Sequence, residues 1–259
     1  MNTRHACFVR PALAAICVAS LATLAACGGN SCIGLNGCGG GNGVPNEVPS
    51  VSISGTAATG TALASATVSF SCAQGAGSAL SDGGGHYAIT FTATPPCVIT
   101  VTSGATSLHS LAFGGGTFNT TPETELLLVY LASQLGTNET SLIAGFPSNA
   151  QFQQVLANQA DVLAAQSAVV TNLQQRYALT LTTPAFLTTP FNVGHAGVDG
   201  DLDTLARAGA IDTDGMPDQA AVSLLTAAGF AHPLAAMATP SSGTGTGTGS
   251  TSGTTGGMM

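Results

Sequence analysis

The densest chemistry-bearing stretch of the chain is acidic: Asp199-Gly200-Asp201-Leu202-Asp203, then Asp212-Thr213-Asp214-Gly215-Met216-Pro217-Asp218. Calcium is held by several carboxylate and carbonyl oxygens converging on one point. Asp199, Asp201, Asp203, Asp212 and Asp214 are the candidates for that chemistry. Asp-x-Asp-x-Asp opens like a twelve-residue calcium loop. Thr204 stands where that loop takes its Gly, however, and Ala210 where it takes its Glu. The structural role is the stronger expectation. Asp201 and Asp218 sit where helices should begin, and a carboxylate there caps free N–H groups and meets the helix dipole. Asp-Gly pairs also make turns. No metal or cofactor is therefore assigned from the sequence.

Other reactive residues are sparse. Glu123 and Glu125 form an acid pair, but two residues apart on a helix they do not face each other. General acid–base work would need them buried in a cleft, and charge at a helix N-terminus is their expected role. The histidines after Cys27 are His86, His109, His195 and His232, none spaced i,i+4 from another. A three-His zinc site could assemble only in space. The chain has no Gly-x-Ser-x-Gly or His-Glu-x-x-His motif, and no Gly-x-Gly-x-x-Gly between a strand and a helix.

Charge excludes whole classes of function. The 259 residues contain no lysine and only four arginines against twelve acids. Without Lys there is no P-loop, no Schiff base on pyridoxal phosphate and no internal Lys–Asn cross-link. A nucleic-acid binder needs clustered Lys and Arg to displace counterions, and a polybasic membrane patch needs the same.

The N-terminal segment reads as an export signal. Arg4 and Arg10 form a basic start, Ala12–Leu24 an apolar stretch, and small residues follow. The apolar stretch is too short for a transmembrane helix, which takes about 20 residues. Leu24-Ala25-Ala26-Cys27 resembles a bacterial lipobox. That resemblance implies cleavage before Cys27, a diacylglycerol on its thiol, an acyl chain such as palmitate on its new amine, and stable membrane anchoring. Gly28, rather than Asp, follows the cysteine, which in the resemblance favours the outer membrane. The periplasmic face and the cell surface both stay open as the location of the body.

Removal of residues 1–26 takes Cys7 and Cys17 with it, and Cys27 takes the lipid. Cys32, Cys38, Cys72 and Cys97 then allow three pairings. Cys72–Cys97 is the expected structural bridge and Cys32–Cys38 an optional one. A closed loop of about 26 residues contributes roughly 3–4 kcal/mol by loop-closure entropy. Four thiolates on zinc would want Cys-x₂₋₄-Cys pairs, which these four lack.

Several elements must position these residues. Residues 27–50 read as a flexible Gly-rich tether and 240–259 as a disordered Gly/Thr/Ser tail, too poor in apolar residues to repay ordering. Residues 51–119 alternate apolar and polar positions: Val51, Ile53; Ala66, Val68, Phe70, Cys72; Tyr87, Ile89, Phe91; and the run 98–102. Such alternation marks strands with one buried face. Turn chemistry separates them at 55–60, 81–85, 94–96 and 114–116.

Residues 120–239 are helix-biased. Thr121 caps a first helix with Pro122 at its first position and Gly136 beyond its end. A stripe from Phe152 to Tyr177 predicts one amphipathic helix of about 28 residues after Pro147-Ser148. Shorter helices are expected at 201–208 and 217–228.

Gly55…Gly60-x-x-Leu63-x-x-Ala66-x-Val68 followed by Ser81-Asp82-x-x-Gly85-x-Tyr87 resembles a carboxypeptidase regulatory-like domain. The resemblance covers about 70 residues and implies a transthyretin-like sandwich of about seven strands, a binding or spacer module without an active site. Asp82 and Gly85 would be turn residues. Ser65 stands where that family usually has Gly, and Ser81 where it has Thr. The whole layout is similar to that of uncharacterised proteobacterial lipoproteins, with Thr121-Pro122-x-Thr124-Glu125-Leu126 and Pro190-Phe191-Asn192 as further points of likeness.

The expected protein is α+β: an N-terminal antiparallel β-sandwich, transthyretin-like or Ig-like, followed by an α-helical region. Its expected function is a non-catalytic binding or scaffolding role as an envelope lipoprotein. Its partners would be the membrane, through the anchor, and an envelope or surface ligand. Two alternatives are a surface adhesin or carbohydrate-binding module, and a hydrolase with a non-sequential active site. Scarce Trp and Tyr weigh against the former.

Overall fold

The structure is a computed structural model and describes residues 49–234. The expected signal peptide at 1–26, lipidation at Cys27, most of the 27–50 tether, the Cys32–Cys38 bridge and the 240–259 tail lie outside the described residues. Among the described residues, no helix is long and apolar enough to cross a membrane.

The fold is α+β, with seven strands followed by six α-helices. Strand β1 (Ser50–Thr56) pairs antiparallel with β4 (His86–Thr92) and parallel with the two-residue β7 (Gly116–Thr117), giving the order β4-β1-β7. Strands β2 (Thr67–Gln74), β3 (Ala76–Leu80), β5 (Thr94–Ser103) and β6 (Thr106–Ala112) form a second sheet in the order β3-β2-β5-β6. The alternation predicted from sequence sets the register: Ile53 faces Ile89, and Phe70 faces Ile99. Phe70 meets Tyr87 edge-on at 6.0 Å and Phe91 at 5.6 Å, so the two sheets share a core.

Cys72 and Cys97 are paired in the β2–β5 register and joined by a disulfide with a Cα separation of 3.8 Å. Both are buried, and alternation puts them on the same face as Phe70 and Ile99. One predicted turn is absent: Thr94-Pro95-Pro96 does not separate strands but opens β5.

Strand β5 buries consecutive residues from Pro96 through Ile99. Its sheet is covered on both faces, by the first sheet on one side and by helices on the other. The principal cover is α1 (Pro122–Gln134), buried from Pro122 to Ser133 without a break. An apolar helix of this kind belongs inside, and here α6 (Gln219–Ala231), α4 (Gln159–Tyr177) and β6 surround it. Gly229 sets the α1–α6 approach, because a Cβ there would lie 2.6 Å from the Tyr130 carbonyl oxygen.

The 28-residue helix expected after Ser148 is instead two helices, α3 (Ala150–Ala157) and α4. Asn158 breaks it. Its backbone is extended at φ −79°, ψ 94°, and its side chain accepts from the N–H groups of Ala160 and Asp161, starting a new helix. Asn competes for backbone in this way and is worth more as a cap than inside a helix. The helix predicted at 201–208 is α5 (Val198–Arg207), and that predicted at 217–228 is α6. Sequence reading also omitted α2 (Glu139–Gly145), capped by Asn138 through the Ser141 N–H.

Asn119 joins the layers. Fully buried, it accepts the Thr56 N–H on Oδ1 and donates from Nδ2 to the carbonyls of Phe186 and Thr189 at 2.8 and 2.7 Å. Its own N–H donates to the Leu187 carbonyl, and its own carbonyl accepts the Ser110 hydroxyl.

The entry to β2 runs through Ser65 at φ +54°, in the left-handed region. Ser81 closes this loop, its hydroxyl donating to the Leu63 carbonyl and accepting the Ala66 N–H.

Two stability outcomes are expected in urea melts. Ser65→Gly removes the left-handed penalty of a side chain and raises stability by about 1 kcal/mol. Asn119→Ala strands one N–H and two carbonyls in the interior and lowers it by about 3 kcal/mol or more, at about 1–3 kcal/mol per orphaned group. Unchanged midpoints in both would contradict these roles.

Candidate functional site

The acidic stretch nominated from sequence is placed on two elements. Asp199, Asp201 and Asp203 lie on α5, and Asp212 and Asp214 in the turn bridged by Ile211 and Pro217. Asp201 is buried and accepts from the Thr182 N–H and hydroxyl and from the Thr183 N–H, at 2.7–3.0 Å. Asp199, also buried, accepts the Gly194 N–H at 2.7 Å on Oδ2, while its Oδ1 has no partner. Burial raises the Asp199 pKa, against the opposing pull of the Gly194 N–H. Asp203, Asp212 and Asp214 are exposed. Asp212 Oδ1 organises its own turn, taking the N–H groups of Asp214 and Met216. Asp218 caps α6 through the Ala220 N–H. Asp199, Asp201, Asp212 and Asp218 thus fix local backbone, and the structure does not gather the acids into a group of three converging ligands.

A different trio does converge. Among the described residues, one group of three metal-ligating side chains has ligand atoms within 4.8 Å of one another: His109, Glu125 and Glu139. His109 lies on β6, Glu125 in the first turn of α1, and Glu139 at the start of α2.

The first turn of α1 docks on the free edge of β6. The Thr124 hydroxyl donates to the His109 carbonyl at 2.9 Å, and Glu125 Oε2 accepts the His109 N–H. Two backbone groups that an edge strand would leave open are thereby satisfied. The other oxygen, Glu125 Oε1, lies 2.9 Å from His109 Nδ1. Burial first, then the charge of Glu125 and a hydrogen bond shared with its carboxyl, raise the Glu139 pKa above the ordinary carboxylate value.

Sequence reasoning named His109 and Glu125 but never joined them, and it missed Glu139. The signal for Glu139 was local: Asn138 as a cap, an acid after it, and the apolar pair Leu142-Ile143.

The remaining histidines stand apart from this trio. His195 and His232 are exposed. His86 Nδ1 lies 3.0 Å from the Thr56 hydroxyl, at an open groove of about 500 Å³ also lined by Asp82, Ala88, Phe191 and Asn192. Asp82 serves a turn there, accepting from the Gly84 and His86 N–H groups, which lowers its pKa.

Glu123 was expected as a charge at a helix N-terminus. Instead it is fully buried, and neither carboxyl oxygen has a partner. Burial first, and the charge of Asp201 second, raise its pKa well above the ordinary carboxylate value. A carboxyl protonated in the folded state and ionised in the unfolded one weakens folding as pH rises above about 4.5, by up to about 1.4 kcal/mol per pH unit, until the folded pKa is passed. Glu123→Gln mimics the protonated form. It should melt higher than the parent at pH 8, with the difference shrinking to nothing near pH 4.5. A constant difference across that range would contradict the buried-proton assignment.

No family model matches the chain, and no curated protein or solved structure matches it either.

Proposed function

We propose that this is an exported, lipid-anchored envelope protein whose body serves as a non-catalytic binding or scaffolding module. The observation that carries the reading is the Cys72–Cys97 disulfide, buried in the core shared by the two sheets. Cystines of this kind belong to oxidising compartments. With export taken from the disulfide, Leu24-Ala25-Ala26-Cys27 supplies the means of retention, and lipidation of Cys27 at the outer membrane follows.

In the same reading the seven strands, three in one sheet and four in the other, form a transthyretin-like sandwich of the carboxypeptidase regulatory-like kind. Support comes from the residues that carried the resemblance. Asp82 and Gly85, the latter at φ +81°, build the turn that leads from β3 in one sheet to β4 in the other. The Tyr87 hydroxyl donates to the Phe118 carbonyl and meets Thr120. Ser65 takes the left-handed backbone at the position where the family usually has Gly.

A scaffolding role is favoured over catalysis because the polar side chains with the best geometry are engaged in holding backbone. Asp201, Asp82, Asp212 and Asn119 all accept N–H groups. The larger open groove, about 710 Å³ over β1, β4 and β7, is lined by Ser, Thr, Ala, Gly, Val and Ile, with no aromatic face for a sugar to stack on.

The test is metabolic labelling with an alkyne-tagged palmitate, followed by membrane fractionation, for the parent and for Cys27→Ser. The parent should carry label and sediment with membranes, and the variant should lose both properties. A labelled variant, or an unlabelled parent, would overturn the anchor.

A further inference from the structure

We propose that His109, Glu125 and Glu139 form a binding site for a divalent transition-metal ion, zinc by preference. Three elements, β6, α1 and α2, each offer one ligand atom, and these atoms lie within 4.8 Å of one another. Donors about 2.1 Å from a tetrahedral zinc stand roughly 3.4 Å apart, so small side-chain rotations close the set around an ion. Glu125 is already aimed. Its Oε2 is held by the His109 N–H, and its Oε1 lies 2.9 Å from His109 Nδ1. Carboxylates on metals are commonly fixed through hydrogen bonds in this manner.

A second observation points to an occupant. Glu139 Oε1 is shut off from solvent, and no N–H or hydroxyl donor reaches it. It stands beside another carboxyl in a poorly solvated place, where two negative charges repel unless something positive lies between them. One proton shared between the two carboxyls relieves the repulsion. A divalent ion satisfies both carboxylates and the imidazole together.

Donor chemistry selects the metal. Calcium and magnesium take oxygen ligands, whereas an imidazole with two carboxylates suits zinc and its neighbours. The His109 side chain is 21% exposed, so a fourth position is open to water. The ion would fasten the seven-residue α2 to the edge of the second sheet.

The test compares thermal melts of the full chain with its Glu139→Gln and His109→Gln variants, with and without Zn²⁺. At zinc a hundred times its dissociation constant, the parent should melt roughly 5–10 °C higher. Both variants should lose that rise. Metal-free Glu139→Gln should melt no lower than the metal-free parent, which separates loss of a ligand from loss of the fold. Co²⁺ substitution should give visible ligand-field bands without thiolate charge transfer, which excludes the cysteines as the donors. No rise in the parent, or an equal rise in both variants, overturns the site. A rise with Ca²⁺ equal to that with Zn²⁺ overturns the transition-metal assignment.

Discussion

Asn119 has no exposed surface, and its side chain and backbone bond to three separate stretches of chain. Thr56 at the end of β1, Ser110 on β6, and the Phe186–Thr189 segment all converge on it. That last segment belongs to a stretch, residues 178–197, without helix or strand. Irregular backbone can be buried only if its N–H and C=O groups find partners, and the amide of Asn119 supplies two of them. The position of residues 118–121 follows from that bonding. So does the point at which α1 departs, because Thr120 and Thr121 come directly after. A different exit for α1 would take Glu125 away from His109.

The second sheet is the middle of three layers, and α1 is enclosed by the third. Enclosure explains why the first turn of α1 is unusual. Acids are favoured at a helix N-terminus because they meet free N–H groups and the positive end of the dipole. In α1 the Thr121–Thr124 pair provides the cap, with the Thr121 N–H donating to the Thr124 hydroxyl. The two acids of that turn are left for other work. Glu125 turns outward to the edge of β6, whereas Glu123 is sealed in without partners and stays neutral. One short segment therefore holds two carboxyls whose difference lies in environment, not in residue type.

Much of this architecture was written in local pattern. Alternation at Val51–Ile53, Val68–Phe70–Cys72 and Tyr87–Ile89–Phe91 located three strands, and Thr121-Pro122 with Gly136 located α1 almost to the residue. Patterns failed where a segment had little hydrophobic contrast or where a polar residue held a structural post. Strand β3, Ala-Gly-Ser-Ala-Leu, carries almost no apolar signal and is a strand because β2 pairs with it. Asn158 lies within a nearly continuous apolar stripe, and periodicity does not register that Asn prefers to begin a helix. The trio His109, Glu125 and Glu139 was illegible for a further reason. Only the docking of α1 on β6, and the placement of α2 beside both, bring these residues together.

Scarcity of charge and the placement of acids are linked. With no lysine and two arginines beyond Cys27, the body has almost no cation to set against a buried carboxylate. Arg207 reaches Thr204 on its own helix, and Arg176 lies over the Tyr177 ring at 5.6 Å. Each inward acid must then be stabilised by backbone N–H groups, by a proton or by a bound cation. Asp201 takes the first course, with Thr182 and Thr183. Glu123 takes the second. Glu125 and Glu139 lie side by side with one imidazole, where a single proton can be shared between the carboxyls and a divalent ion can take its place. The same lack of lysine that removes nucleic acids and phosphate loops from consideration is what makes a metal ion the fitting counter-charge at this one place.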